Sequence, residues 1–138
     1  MVPATILSAA VTILAVLMLF YSSVPVGRAR SKHGIAAPTM TGHADLERAV
    51  RVHMNTLEQF AIFVPLLWIA TSYFALVGWL PAALGIIWIV GRFIYMQAYL
   101  KDPGTRSLGF SITLLASLGL LILSVIGVVM AWSTATAP

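Results

Sequence analysis

The chain has 138 residues, room for one domain, and 60% of them are hydrophobic while only 9% are charged. A soluble domain carries about 25% charged residues, so eight Lys/Arg and four Asp/Glu cannot cover a water-facing surface here. That excludes a soluble enzyme, a disordered chain, a collagen and a soluble coiled coil, and leaves a membrane protein.

The first apolar stretch, residues 4–26, holds no charge and predicts a helix over 4–27. It lacks a basic leader and is too long for a cleaved signal; Arg28, Arg30 and Lys32 follow it instead, which reads as a retained helix. Residues 27–45 are polar, contain Gly34, Pro38 and Gly42, and are expected to form a loop. The polar segment from Glu47 to Glu58 runs without a break into a second apolar stretch, so one helix is expected over 46–77, kinked at Pro65. A turn from Gly78 leads to Pro81, placed to start a third helix over 81–101. Lys101-Asp102-Pro103-Gly104 is a turn signal, and a fourth helix follows over 105–133 with Thr105 or Ser107 placed to cap it. Crossing a hydrocarbon core of about 30 Å takes about 20 helical residues, and backbone groups in lipid must bond within their own helix. The fold class expected is all-α: an integral membrane four-helix bundle occupying residues 1–138 as one domain.

Four crossings put the first and third connections on one side, and the second connection with both termini on the other. All the basic residues, all four acids and all three histidines lie in or nearest to the first side. The Lys/Arg bias assigns that side to the cytoplasm, with Trp79 and Trp132 marking the opposite interface. Topology thus explains the excess positive charge, and no nucleic-acid partner is expected. The chargeless outer end and small size fit a bacterial inner membrane, with the endoplasmic reticulum as the alternative.

Chemistry should reside where the polar residues are. Arg51, Asn55 and Glu58 fall at i, i+4 and i+7 on one face of the second helix, and Glu47 lies four residues before Arg51. The spacing alone fits a salt-bridged helix end as well as a binding face. Arg92 lies eleven residues after Pro81, roughly 16 Å into the core. An arginine so placed costs at least about 2.5 kcal/mol, so it should face the bundle interior or a cavity and have a partner. Glu58 is the candidate, and Tyr95 and Tyr99 share the face of Arg92. A structural Arg92–Glu58 pair and an anion site are compatible readings. Arg106 opens the fourth helix, where the helix dipole and a guanidinium together favour an anion such as a thiolate, although topology alone also places an arginine there. His33 and His43 show no short ligand spacing and His53 sits on another face, so no metal site is expected. Gly109, Thr113 and Ser117 form a small-residue stripe suited to helix packing. The chain has no cysteine, so any sulfur chemistry needs a ligand's sulfur. The expected ligand is a small anion from the cytoplasm with one positive group for Glu58, and a second reactant would be apolar and arrive through the bilayer. A glutathione-like peptide meets these demands, as would other small anions.

The pattern Glu47-Arg48-x-x-Arg51-x-His53-x-Asn55-x-x-Glu58 resembles the signature of the MAPEG superfamily, the membrane-associated proteins in eicosanoid and glutathione metabolism. Gly91-Arg92-x-x-Tyr95-x-x-x-Tyr99 and Arg106-Ser107 match as well, and the resemblance covers nearly the whole chain. It implies a homotrimer with glutathione as co-substrate, no metal, and a lipophilic electrophile or hydroperoxide as the second substrate. By motif position, Arg51, His53, Asn55, Glu58, Arg92, Tyr95, Tyr99 and Ser107 would bind glutathione, Arg28 would act from an adjacent subunit, and Arg106 would activate the thiol. Phe110 stands where several members carry a tyrosine. The implied activity is a glutathione transferase or peroxidase, with a non-catalytic lipid- or partner-binding protein as the alternative. A proton-coupled exporter would need an acid in the first helix, which has none.

Overall fold

The computed structural model describes residues 2–137. Four helices account for most of them: α1 (Ala4–His33), α2 (Ala44–Tyr73), α3 (Leu80–Lys101) and α4 (Ser107–Ala135), with one 3-10 turn, Pro103–Thr105, ahead of α4. No strand occurs among the described residues.

Two boundaries differ from the sequence expectation by more than two residues. Helix α1 ends at His33 rather than residue 27, so Arg28, Arg30 and Lys32 are helical. Its stop is Gly34, which adopts a left-handed φ of 65° while its N–H returns to the Arg30 carbonyl. Glycine adopts that conformation without a Cβ penalty, and three basic side chains in the last turn suit the negative end of the helix dipole. Helix α2 starts at Ala44, where the His43 side chain accepts the Asp45 N–H at 3.1 Å and Asp45 and Glu47 lie in the first turn. It ends at Tyr73 rather than residue 77 because Phe74 turns extended and buries itself. A Cβ on Gly127 of α4 would lie 2.6 Å from the Phe74 nitrogen, so only glycine lets the chain leave α2 along this path. Helix α2 continues through Pro65, as α1 does through Pro25. Pro81 lies in the first turn of α3.

Neither Thr105 nor Ser107 caps α4. Thr105 donates its hydroxyl to the Asp102 carbonyl at 2.8 Å, the Asp102 carboxylate accepts the Gly104 N–H at 2.9 Å, and Arg106 occupies the cap position.

Helices α1 and α3 and the stretch Pro103–Ala135 are long and apolar enough to cross a membrane. Helix α2 is polar in its first half and apolar in its second, where Phe63, Leu67 and Ala70 are fully buried. The Phe63 and Trp88 rings stack at 4.3 Å, and Val11, Ala15, Ala116 and Leu120 pack around them. The outer surface stays apolar: Phe20, Leu115 and Trp132 are each about two-thirds exposed or more. An apolar core inside an equally apolar exterior is the build of a membrane helical bundle.

Helices α3 and α4 meet on the small-residue stripe. A Cβ on Gly91 would lie 2.7 Å from the Thr113 hydroxyl oxygen, and one on Gly109 would strike the Tyr95 backbone. Gly109→Ala therefore forces the two helices apart and should lower stability by about 1–3 kcal/mol, read as a fall in the thermal midpoint of the detergent-solubilised chain.

Candidate functional site

The buried polar centre lies where α2, α3 and α4 converge, toward the end of the bundle that carries the charges. Arg92 is completely buried. Its Nε donates to Thr113 Oγ1 at 3.1 Å and its Nη1 to Asn55 Oδ1 at 2.9 Å. The guanidinium carbon sits 4.3 Å from the Tyr95 ring centroid, within the range of a cation–π contact. Nη2 is buried without a protein partner among the described residues. The arginine is thus turned inward and held, as its depth demanded.

Its partner corrects the sequence expectation. Arg92 forms no ion pair with Glu58; Asn55 stands between them, accepting from Arg92 and donating Nδ2–H to Glu58 Oε2 at 3.3 Å. An amide has both an acceptor and a donor, so Asn55 relays the contact while Glu58 stays exposed. Nor does Glu47 pair with Arg51; its carboxylate accepts the Gly42 N–H at 3.2 Å.

The network runs on along α3. Tyr95 and Tyr99 lie 5.5 Å apart by ring centroids, and the Arg106 guanidinium carbon is 5.6 Å from the Tyr99 ring. Arg106 also donates to the Pro103 carbonyl at 2.8 Å, a bond within its own turn that sets its stem at the mouth of α4. Arg106, Ser107 and Phe110 are exposed and, with Gly104, line a hollow of about 590 Å³.

Other motif residues lie apart from this chain of contacts. Arg51 is exposed on α2, one turn before Asn55. His53 faces α1, its Nδ1 2.9 Å from the buried Ser22 hydroxyl. That hydroxyl also donates to the Leu19 carbonyl at 2.7 Å. Arg28 lines a different hollow of about 280 Å³ with Pro25, Ala29, Lys32, Asp45, Ala49 and Leu100. Arg28 and Arg106 thus line different hollows.

Thr113 and Ser22 were not legible as site residues. Thr113 read as part of the packing stripe, and its only signal was a hydroxyl one helical turn from Gly109. Ser22 carried none. Arg48 has a structural task, donating to the Leu100 and Lys101 carbonyls at 3.4 and 3.3 Å and so closing the end of α3.

Fold and site together define an all-helical membrane bundle that keeps one arginine in its interior and a second at the mouth of its last helix. The chain belongs to the MAPEG family, whose model matches residues 8–126. It is 38% identical to microsomal glutathione S-transferase 2 of Mus musculus over 122 residues, covering 88% of this chain and 82% of that protein. It is 35% identical to leukotriene C4 synthase of Cavia porcellus over 100 residues, 72% of this chain and 65% of that protein. An uncharacterized protein of Synechocystis is 39% identical over 114 residues, 83% of this chain and 82% of its own length.

Proposed function

We propose that the chain is a glutathione-dependent transferase or peroxidase of the membrane. The observation that carries this reading is the continuous set of contacts from Glu58 through Asn55, Arg92, Tyr95 and Tyr99 to Arg106. It offers an anion to the peptide's amino group, donors to its carboxylates, and a cation beside a helix N-terminus for its sulfur. The names of the relatives, glutathione transferase and leukotriene C4 synthase, agree with such a ligand. Arg51, His53 and Ser107 complete the binding residues at the rim. The unpaired Nη2 of buried Arg92 leaves donor capacity for a carboxylate or a bridging water.

Arg106 is the catalytic residue in this reading. Its charge and the α4 N-terminus lower the thiol pKa, and the thiolate is the nucleophile. In conjugation, the sulfur forms a bond to an electrophilic carbon and a leaving group departs with the electron pair. In peroxide reduction, two glutathiones join as a disulfide while the hydroperoxide becomes an alcohol and water. Phe110 offers no hydroxyl, so ionisation rests on Arg106 and the backbone. Holding a water-borne thiol against a bilayer-dissolved partner adds the advantage of orientation.

A homotrimer agrees with the placement of Arg28 and Arg106 on different hollows, which leaves Arg28 to complete a neighbour's site. The polar end then faces the cytoplasm. The test is turnover by the purified chain of glutathione with an aryl halide and with a fatty-acid hydroperoxide. Product from either supports the reading. Glutathione binding with neither product supports instead a non-catalytic binding protein on the same scaffold.

A further inference from the structure

The connection between α1 and α2 brings together three ligating side chains that the proposed glutathione chemistry does not use. His33 is the last residue of α1, His43 caps α2, and Asp45 lies in the first turn of α2. Their spacing in sequence gives no metal motif, but the loop closes on itself and the three donor atoms all lie within 4.8 Å of one another. His33 Nε2 is 2.9 Å from Asp45 Oδ2, and His43 Nδ1 is 3.8 Å from the same oxygen. The two imidazoles stack at 3.4 Å.

We propose that His33, His43 and Asp45 bind a zinc-class divalent ion that ties the end of α1 to the start of α2. Zinc takes imidazole nitrogen and carboxylate oxygen at about 2.0–2.2 Å, which sets neighbouring donors of a tetrahedral site about 3.4 Å apart. The two measured distances to Asp45 Oδ2 fall on either side of that value. His43 Nδ1 accepts the Asp45 N–H at 3.1 Å, so binding exchanges this cap bond for a bond to the ion. Asp45 Oδ2 is the shared centre of the cluster, 2.9 Å from His33 Nε2 and 3.0 Å from Lys32 Nζ. On binding, the ion takes the place of the Lys32 ammonium at the carboxylate, and the rings turn out of their stack to aim both lone pairs at one point. The fourth position is open to water.

The frame is fixed from both sides. Gly34 stops α1 in a left-handed turn, and Arg30 holds the loop by donating to the Ile35 and Ala36 carbonyls at 3.4 and 3.1 Å. His33 is largely sheltered while His43 and Asp45 are accessible, which gives the ion an entry path from water. One group competes: Lys32 Nζ lies 3.0 Å from Asp45 Oδ2 and is itself 69% exposed, so it can swing away.

The experiment uses the full chain without an affinity tag, stripped with chelator in detergent. It is titrated with Co2+ for its visible bands and with Zn2+ against a chromophoric chelator. One ion per chain is expected. His33→Ala and Asp45→Asn should weaken binding more than about tenfold, and His53→Gln, which removes the remaining histidine, should leave it unchanged. Lys32→Ala alters only an exposed side chain and should tighten binding several-fold, because the ammonium no longer occupies the carboxylate. No uptake by the parent chain at submillimolar ion, equal affinity in His33→Ala, or no gain in Lys32→Ala would each overturn the proposal. Because the readout is ion uptake, the result is independent of any glutathione chemistry.

Discussion

Arg106→Ala should abolish the thiolate that glutathione forms on binding at pH 7, and restore it only as the pH rises through the ordinary thiol range. A thiol of pKa about 8.5 is about 3% ionised at pH 7, and one brought down by two units is about 75% ionised. Losing Arg106 should therefore cut the thiolate absorbance in a glutathione difference spectrum by about 25-fold. Turnover should respond differently. A lower pKa also makes a thiolate a weaker nucleophile, with a Brønsted coefficient of about 0.4–0.5, so two units of ionisation yield a net gain of only about threefold. If Arg106 served ionisation alone, the variant would lose about that much. We expect a loss nearer 100-fold, the size seen when a positioned charge-stabilising donor is removed, because the guanidinium held over Tyr99 would, in the proposed site, also fix where the sulfur sits. Rate and thiolate absorbance measured against pH in the same variant separate the two contributions.

Asn55→Leu should destabilise the bundle more than Arg92→Met does, although the arginine is the larger side chain. Arg92→Met removes the buried charge together with its demand for partners. What remains is an Asn55 oxygen and a Thr113 hydroxyl with unmet capacity, at a cost of about 1–3 kcal/mol. Asn55→Leu leaves the guanidinium fully buried with one hydrogen bond, to Thr113, and the Tyr95 ring beneath it, and an uncompensated buried charge costs about 3–5 kcal/mol. The double variant should lie close to Arg92→Met alone, since the charge that made Asn55 necessary is gone. Thermal midpoints in detergent measure the order. Equal losses from the two single variants would show that Arg92 draws its compensation from elsewhere. Both variants should also lose glutathione affinity, and Arg92→Lys should not restore it, because an ammonium lacks the fork that reaches Asn55 and Thr113 together.

Depth and rotation explain what the sequence conveyed and what it withheld. Arg92 was legible because its distance from Pro81 is a length along a helix, and a charge at that depth has to turn inward. Its partner was not, since naming it needs the relative rotation of α2 and α3. Asn55 and Glu58 are nearly a full turn apart on the same face, and only packing puts the amide first. Helix α1 runs past the end its sequence suggests because the basic residues after Val26 look like loop, yet they suit the negative end of a helix, and Gly34 is the terminator. Thr113 was hidden by its company: the glycine stripe that draws α4 against α3 is also what carries that hydroxyl to Arg92. The grouping of His33, His43 and Asp45 follows from loop closure, which no linear spacing rule describes.

Proton release on glutathione binding is the most direct measurement of the central claim, that this end of the bundle grips glutathione and ionises its sulfur. Calorimetric titration at pH 7 in buffers of different ionisation enthalpy should show about 0.7 proton released per glutathione bound, and none for the S-methyl derivative. Binding of both ligands with no proton released would contradict it.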